Sequence, residues 1–317
     1  MILKSVFKKE LNNFKKLVDN ELLNIYPNGP KLIKDPINYV VTGGKRLRPS
    51  LCLLICSSFN KDITKALIPA VSIELLHLFS LVHDDIMDND DIRHNKETIH
   101  KKWNIPVAIL AGDAILALAF KRLNNADHSI KELFNSALIA VCEGQALDIE
   151  YEELNNISEK QYLDMIDLKT GHMLGLSAQL GGILSEVSIN NQSKLKEYGT
   201  LIGRAFQIQD DILEIISDSS IMGKSLESDF ILGKKTFLMI QARDKFPDKF
   251  NDILEQSEDN YKIAFKLYKN LLLKEKIIEN SIDYVVKTFN DAENLVKGII
   301  PNDSLKNFIT ILKNRKF

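Results

Sequence analysis

Apolar positions in this chain follow helix-start signals and do not alternate with polar ones as a half-buried strand would require. Ser129 and Glu132 have capping-box spacing, and Leu133, Ala137, Ile139 and Ala140 follow them. Ser158 and Gln161 repeat the spacing, followed by Tyr162, Met165, Ile166 and Lys169. Each pair predicts the start of a long helix. A third helix is predicted from about Ser193 to Ile216, and a fourth from about Pro69 to Asp88 with the proline in its first turn. None of the eight prolines falls between Pro106 and Pro247, so that stretch is free of the residue that most disrupts helix interiors. Turn signals at Pro27-Asn28-Gly29-Pro30, Thr42-Gly43-Gly44 and Asn124-Asn125 separate the segments. Val107 to Phe120 reads as a buried helix, too short to span a bilayer. No run of period-2 alternation bounded by turn residues is found, so strands are not expected. No stretch reads as an interdomain linker, and the expectation is one all-α domain over residues 1–317.

Composition adds bounds to this picture. With 45% hydrophobic and 26% charged residues, the 317-residue chain can bury a large core and keep a charged surface. A formal net charge of −2 gives no reason to expect a nucleic-acid partner. Cys52, Cys56 and Cys142 make no disulfide framework, and Cys52 and Cys56 read as buried core thiols in a reducing, cytoplasmic setting. Met1 to Glu10 lacks the continuous apolar stretch of a signal peptide, and no stable membrane insertion is expected.

Two acidic clusters carry the chemistry. Asp84, Asp85 and Asp88 end a predicted apolar helix at offsets 0, 1 and 4, which puts them along one helix edge. Asp210, Asp211 and Glu214 repeat those offsets at the end of another. One such cluster alone reads as a solvated helix end. Two with identical offsets, each flanked by apolar residues, point to a shared task. Carboxylates held this close repel one another, increasingly so away from water. Hard oxygen ligands suit Mg²⁺, which takes one or two carboxylates and fills its octahedron with water and phosphate oxygens. Two facing clusters would therefore grip a polyphosphate through metal bridges, without forming a closed protein cage.

Basic sets complete the picture. Thr42-Gly43-Gly44-Lys45-Arg46-Leu47-Arg48-Pro49 puts three cations after two glycines, whose backbone allows close approach to an anion, although a solvated basic turn reads the same way. Lys169, Thr170 and Gly171 interrupt an apolar helical run. Gly223-Lys224 and Gly233-Lys234-Lys235-Thr236 follow the second acidic cluster, and Arg93 and His94 follow the first. None has P-loop spacing. Two metal-holding groups and separate basic sets suit two diphosphates, of which only one needs metals.

In this order and spacing the motifs resemble the trans-isoprenyl diphosphate synthase, or polyprenyl synthetase, family over nearly the whole chain. Asp84, Asp85 and Asp88 followed by Arg93 match its first aspartate-rich motif. Phe206, Gln207, Asp210, Asp211 and Glu214 match its second, and Gly44, Lys45 and Arg48 match its GGKxxRP motif. His77, Gly112-Asp113, Gly144-Gln145 with Asp148, Lys169-Thr170, Lys224 and Gly233-Lys234 fall in family order. Three positions depart from the pattern. His94 stands where a second arginine is usual, Glu214 replaces the last aspartate, and Asn95 and Glu97 replace the glycine and proline before Thr98.

The resemblance implies about ten or more long helices around a central cavity, a homodimer, and Mg²⁺ as cofactor, three ions when substrate is bound. It implies metal binding by Asp84, Asp85, Asp88, Asp210, Asp211 and Glu214. Isopentenyl diphosphate would lie on Gly44, Lys45, Arg48, His77 and His94. The allylic diphosphate would lie on Arg93, Lys169, Thr170, Gln207, Lys224 and Lys234, of which the last five are also the catalytic set. The allylic diphosphate ionises to a carbocation, the double bond of isopentenyl diphosphate attacks it, and the released diphosphate takes the final proton. Phe79, five before Asp84, with Ser80 at the next position and no insertion before Asp88, implies a geranylgeranyl (C20) product, with farnesyl (C15) as the alternative. A terpene cyclase would not need the Gly44-Lys45-Arg48 set, and a non-catalytic subunit typically lacks the acidic motifs. The basic tail from Lys313 to Phe317 reads as a frayed terminus or as a cover for the isopentenyl site.

Overall fold

The computed structural model describes residues 2–216, 234–257 and 261–313, and almost all of them are helical. The helices are α1 (Ile2–Leu23), α2 (Lys31–Val40), α3 (Leu47–Ser58), α4 (Ile63–Met87), α5 (Ile99–Lys102), α6 (Ile105–Arg122) and α7 (His128–Glu153). They continue with α8 (Glu159–Ile166), a π-helical turn (Asp167–Gly171), α9 (His172–Leu184) and α10 (Ile189–Ile216). After the second described segment begins come α11 (Phe237–Lys245), α12 (Pro247–Ser257), α13 (Tyr261–Lys274), α14 (Ile277–Leu295) and α15 (Ser304–Lys313).

The predicted turns fall between α1 and α2, α2 and α3, and α6 and α7. Ser158 and Gln161 form a full capping box at α8, with Ser158 Oγ accepting from Gln161 N and Gln161 Oε1 accepting from Ser158 N. Four expectations need correction. The helix expected to start at Ser129 starts at His128, after Asp127, so Ser129 is already helical and makes no box with Glu132. The helix expected to start at Pro69 starts at Ile63, because Asp62 accepts from both Thr64 N and Thr64 Oγ1 and caps it earlier. Pro69 therefore lies in its second turn, where the missing N–H costs one backbone bond. The apolar helix at Val107 to Phe120 is not wholly buried, since Ile109 and Leu110 are exposed. A short antiparallel ribbon does form, with Ile92–Arg93 (β1) on Lys96–Glu97 (β2). Its two-residue turn is His94-Asn95, with φ of 51° and 61°, the left-handed pair that such hairpins require.

α10 packs along α9 and α14, α4 along α6, and α3 against both α4 and α9. The buried apolar side chains form a continuous cluster from α1 to α15, with Cys52 and Cys56 inside it. α4 is long and apolar enough to cross a membrane by composition, and most of it is buried against its neighbours. The α9–α10 crossing is unusually close. Gly171 and Gly175 face Gly199 and Gly203, each pair one turn apart, and an added Cβ on Gly203 would lie 2.6 Å from Gly171 Cα. This close approach brings the π-helical turn beside Gln207.

Candidate active site

Side chains from α3, α4, α10, the π-helical turn and the β1–β2 ribbon line one cavity of about 570 Å³. Its acidic wall begins at the end of α4, where Asp84 and Asp85 occupy the last turn and Asp88 is the C-cap. A helix C-terminus already disfavours negative charge, so these carboxylates need compensation. Arg93 donates through Nε to Asp85, with Nη2 3.3 Å from Asp90, and Lys234 Nζ lies 3.3 Å from Asp88. Asp84 is the least compensated. Burial, with Asp88 and Asp148 nearby, raises its pKa to about 6 despite Lys169 and Arg93.

Across the cavity, α10 contributes Phe206, Gln207 and Asp210. Asp211 does not reach the cavity wall. It is buried and accepts hydrogen bonds from Tyr162 Oη at 2.5 Å, Phe237 N at 3.2 Å and Gln207 Nε2 at 3.3 Å. Glu214, one further turn along, is half-buried and lies outside the cavity lining. Thus Asp84, Asp85, Asp88 and Asp210 line the cavity and Asp211 does not. The second aspartate of each motif is engaged with protein, Asp85 by Arg93 and Asp211 by α8 and α11.

Between the two acidic groups lies the π-helical turn, a geometry that concentrates at functional sites. Its Lys169 Nζ lies 2.6 Å from Asp148 Oδ2, and Thr170 Oγ1 donates to Gln207 Oε1 at 3.2 Å. Burial alone would lower the Lys169 pKa, but Asp148 and Asp84 outweigh it and keep the ammonium charged. Arg204 holds the start of this turn, donating through both Nε and Nη2 to the Asp167 carboxylate. Lys224 and Gly233 lie outside the described residues.

The basic wall is the loop before α3. Gly43 and Gly44 have φ of 97° and 79°, the region that favours glycine. Lys45 is exposed and Arg48 half-buried, and both line the cavity. Arg48 Nη1 lies 3.0 Å from His77 Nε2, while Arg48 Nε is shielded from solvent with no hydrogen-bond partner. Burial and the nearby Arg48, Arg93, His94 and Arg46 hold the His77 pKa well below the usual histidine value, so the ring is neutral and Nε2 accepts. His94 lines the same cavity, its pKa lowered by burial and then by Arg93, Lys45 and Arg46. Thr98 Oγ1 donates to Asp90 O at 2.7 Å and ties the ribbon back to the end of α4.

Ser80 lines the cavity and Phe79 does not. Phe79 is buried edge-on to His83, ring centroids 4.7 Å apart, and His83 rests against Gly112 of α6. Sequence reading missed Glu74, Tyr162 and the Arg204–Asp167 pair. Glu74 left one signal, a lone carboxylate inside the apolar run of α4.

The donor set fits Mg²⁺. Asp84, Asp88 and Asp210 offer only hard oxygens, and the raised Asp84 pKa marks negative charge that a cation would relieve. Among the described residues no three His, Cys, Asp or Glu side chains come together closely enough to hold a metal by themselves. An ion here needs further oxygens, as a bound diphosphate supplies.

Residues 30–271 match the polyprenyl synthetase family. The geranylgeranyl diphosphate synthase of Sulfolobus acidocaldarius is 35% identical over 311 residues, covering 93% of this chain and 91% of that protein. The short chain isoprenyl diphosphate synthase of Methanocaldococcus jannaschii is 36% identical, covering 89% of this chain and 84% of its own. The crystal structure of geranylgeranyl pyrophosphate synthetase from Pyrococcus horikoshii superposes over the full length of both chains with a TM-score of 0.87 at 30% identity. With the helical architecture and the paired acidic motifs, these matches show that the chain belongs to the polyprenyl synthetase family and is a prenyltransferase.

Proposed function

We propose that this chain, acting as one domain, condenses isopentenyl diphosphate head-to-tail with dimethylallyl, geranyl and farnesyl diphosphates and releases geranylgeranyl diphosphate. One observation carries the reading: a single cavity has an acidic wall from α4 and α10 and a separate basic wall from the loop before α3. The acidic wall suits a metal-bridged allylic diphosphate, and the basic wall suits a second diphosphate held directly.

Asp84, Asp88 and Asp210 would hold Mg²⁺, with Asp85, Asp211 and Glu214 supporting them from the same two helices. Bound there, Mg²⁺ supplies Lewis-acid neutralisation of the departing diphosphate. Lys169, Arg93 and Lys234, with Lys224, add fixed positive charge where negative charge develops as the allylic C–O bond breaks. Gly44, Lys45, Arg48, His77 and His94 hold isopentenyl diphosphate so that its double bond faces the allylic carbon. Thr170 and Gln207, hydrogen-bonded to each other, line the same cavity. No protein nucleophile is needed, and the released diphosphate takes the proton lost when the new double bond forms.

Phe79 limits the product at C20 in this reading, from its buried position one to two turns below Asp84. A homodimer is supported by the exposed apolar stripe of α6, Ile105, Ile109 and Leu110, which a second copy would cover. The three free cysteines are consistent with a cytoplasmic enzyme.

The test is an incubation of purified chain with isopentenyl diphosphate and each allylic starter, with Mg²⁺ present or chelated, followed by sizing of the dephosphorylated products. Mg²⁺-dependent geranylgeraniol is expected. Farnesol or longer alcohols would refute the product assignment, and no elongation from folded protein would refute the activity.

A further inference from the structure

Arg46 lies between the two residues, Lys45 and Arg48, that the proposed function assigns to isopentenyl diphosphate, and it is built differently from both. Its side chain is almost completely buried, and its backbone sits at φ 53°, in the left-handed region. A non-glycine residue stays there only when its surroundings over-determine the conformation. Three separate elements do so. Nε donates to Asp19 Oδ1 on α1 at 2.8 Å, Nη1 donates to Glu74 Oε1 on α4 at 2.7 Å, and Nη2 donates to the carbonyl of Val41 just after α2. Each of the three nitrogens is engaged by protein. Burial lowers the Arg46 pKa, but Glu74 and Asp19 more than offset this, and the guanidinium stays charged.

The anchors lead outward from the cavity. Asp19 accepts from Lys15 Nζ at 2.8 Å, and the same ammonium donates to Gly44 O at 2.9 Å. α1 supplies no cavity-lining residue, yet two of its side chains hold the glycine loop. Glu74 is one turn before His77 on α4, so the Arg46–Glu74 pair fixes the loop against the helix that presents His77. Lys45 and Arg48 flank that fixed point, and Arg48 Nη1 lies 3.0 Å from His77 Nε2 on the same helix as Glu74.

We propose that Arg46, braced by Asp19, Lys15 and Glu74, is a positioning residue that holds the Gly43–Arg48 loop in register with α4 for isopentenyl diphosphate. The proposal rests on the assignment of the basic wall to that substrate. It predicts that distant residues of α1 tune the affinity for one substrate only.

The experiment is two-substrate steady-state kinetics with thermal denaturation on wild type, Lys15→Met, Arg46→Met and Arg46→Met/Glu74→Leu. Wild type must first elongate an allylic starter; if it does not, the functional assignment fails and this proposal is not what failed. Arg46→Met should raise KM for isopentenyl diphosphate by about tenfold or more, with KM for the allylic diphosphate within about twofold, the pattern of lost ground-state binding. Lys15→Met, which leaves no buried charge, should raise the same KM by about threefold or more. The double variant replaces a buried ion pair with apolar groups and should recover the melting temperature lost in Arg46→Met. Its KM for isopentenyl diphosphate should stay raised. A wild-type KM in the double variant would show that the pair serves stability alone and would overturn the proposal. So would an unchanged KM in Lys15→Met. Should Arg46→Met fail to fold, those two variants still decide the matter.

Discussion

The glycine crossing between the π-helical turn and α10 makes a demand that one methyl group can test. In Gly203→Ala the new Cβ would meet Gly171 Cα at 2.6 Å, Gly171 N at 3.1 Å and Thr170 O at 3.2 Å. All three are backbone atoms and no rotamer relieves them. Ordinary contact begins at 3.4 Å, so the two backbones must part by about 0.8 Å. The Thr170–Gln207 bond, 3.2 Å long and beside the crossing, would stretch to about 4 Å and be lost. Overpacking costs about 1–3 kcal/mol, and replacing a mid-helix glycine with alanine returns about 1 kcal/mol. A net loss of about 1 kcal/mol is expected. With an unfolding entropy of about 2.1 cal/mol/K per residue over 317 residues, that is a fall in Tm of about 1–3 °C. The catalytic effect should be larger, because a displacement near 1 Å can cost about a hundredfold in rate. The assay is kcat with farnesyl and isopentenyl diphosphates beside a thermal melt. A raised Tm with kcat unchanged would mean that the crossing is loose and that the close approach does not set the site.

Three further outcomes follow from the same geometry. Phe79→Ala should shift the products beyond C20 on reversed-phase sizing, and an unchanged product would remove Phe79 as the limit. His94 is neutral at pH 7 because its pKa lies below the ordinary histidine value, so lowering the pH protonates it and adds a cation to the basic wall. KM for isopentenyl diphosphate should therefore fall as pH drops below the ordinary histidine value of about 6.5. His94→Arg should show a lower KM without that extra slope, and equal slopes in both proteins would exclude His94 as the source. Isopentenyl diphosphate should bind by calorimetry with Mg²⁺ chelated, whereas binding of an unreactive allylic diphosphate analogue should need the metal; metal-dependent binding of both would contradict the division of the two walls.

Much of this site could be read along the chain, and the unreadable part has a common cause. Helices and motif order are local properties, so the capping box at Ser158 and the acidic pairs were visible directly. Helix phase against neighbours is not local. Adjacent residues differ by about 100° around a helix, and that rotation turns Asp211 from the cavity toward Tyr162 while Asp210 faces inward. Asp85, one step from Asp84, stays in the cavity lining and pairs there with Arg93. The Ser129 and Pro69 misreadings have a related origin. Asp62 stood upstream as a competing cap and Asp127 takes the N-cap position without a side-chain bond, so only the folded backbone chooses the start. Glu74 with Arg46 and Arg204 with Asp167 join residues far apart in sequence, so neither pair has a spacing to recognise.

The charge balance supports the proposal that one cavity holds two diphosphates in different ways. Around the allylic position stand five carboxylates, Asp84, Asp85, Asp88, Asp148 and Asp210, against three described cations, Arg93, Lys169 and Lys234. Each of those cations already has a carboxylate partner. A diphosphate arriving there meets net negative charge, and repulsion in a half-buried site is poorly screened. Divalent cations bound to the acidic wall would reverse that sign. The basic wall has Lys45, Arg46 and Arg48, and the Glu74 carboxylate beside them is already paired with Arg46. Arg48 keeps a shielded Nε–H without a partner, a donor that a phosphate oxygen would satisfy. In the proposed function the metals would therefore serve the half of the cavity where a C–O bond must break, and the other half would hold its diphosphate with side chains alone.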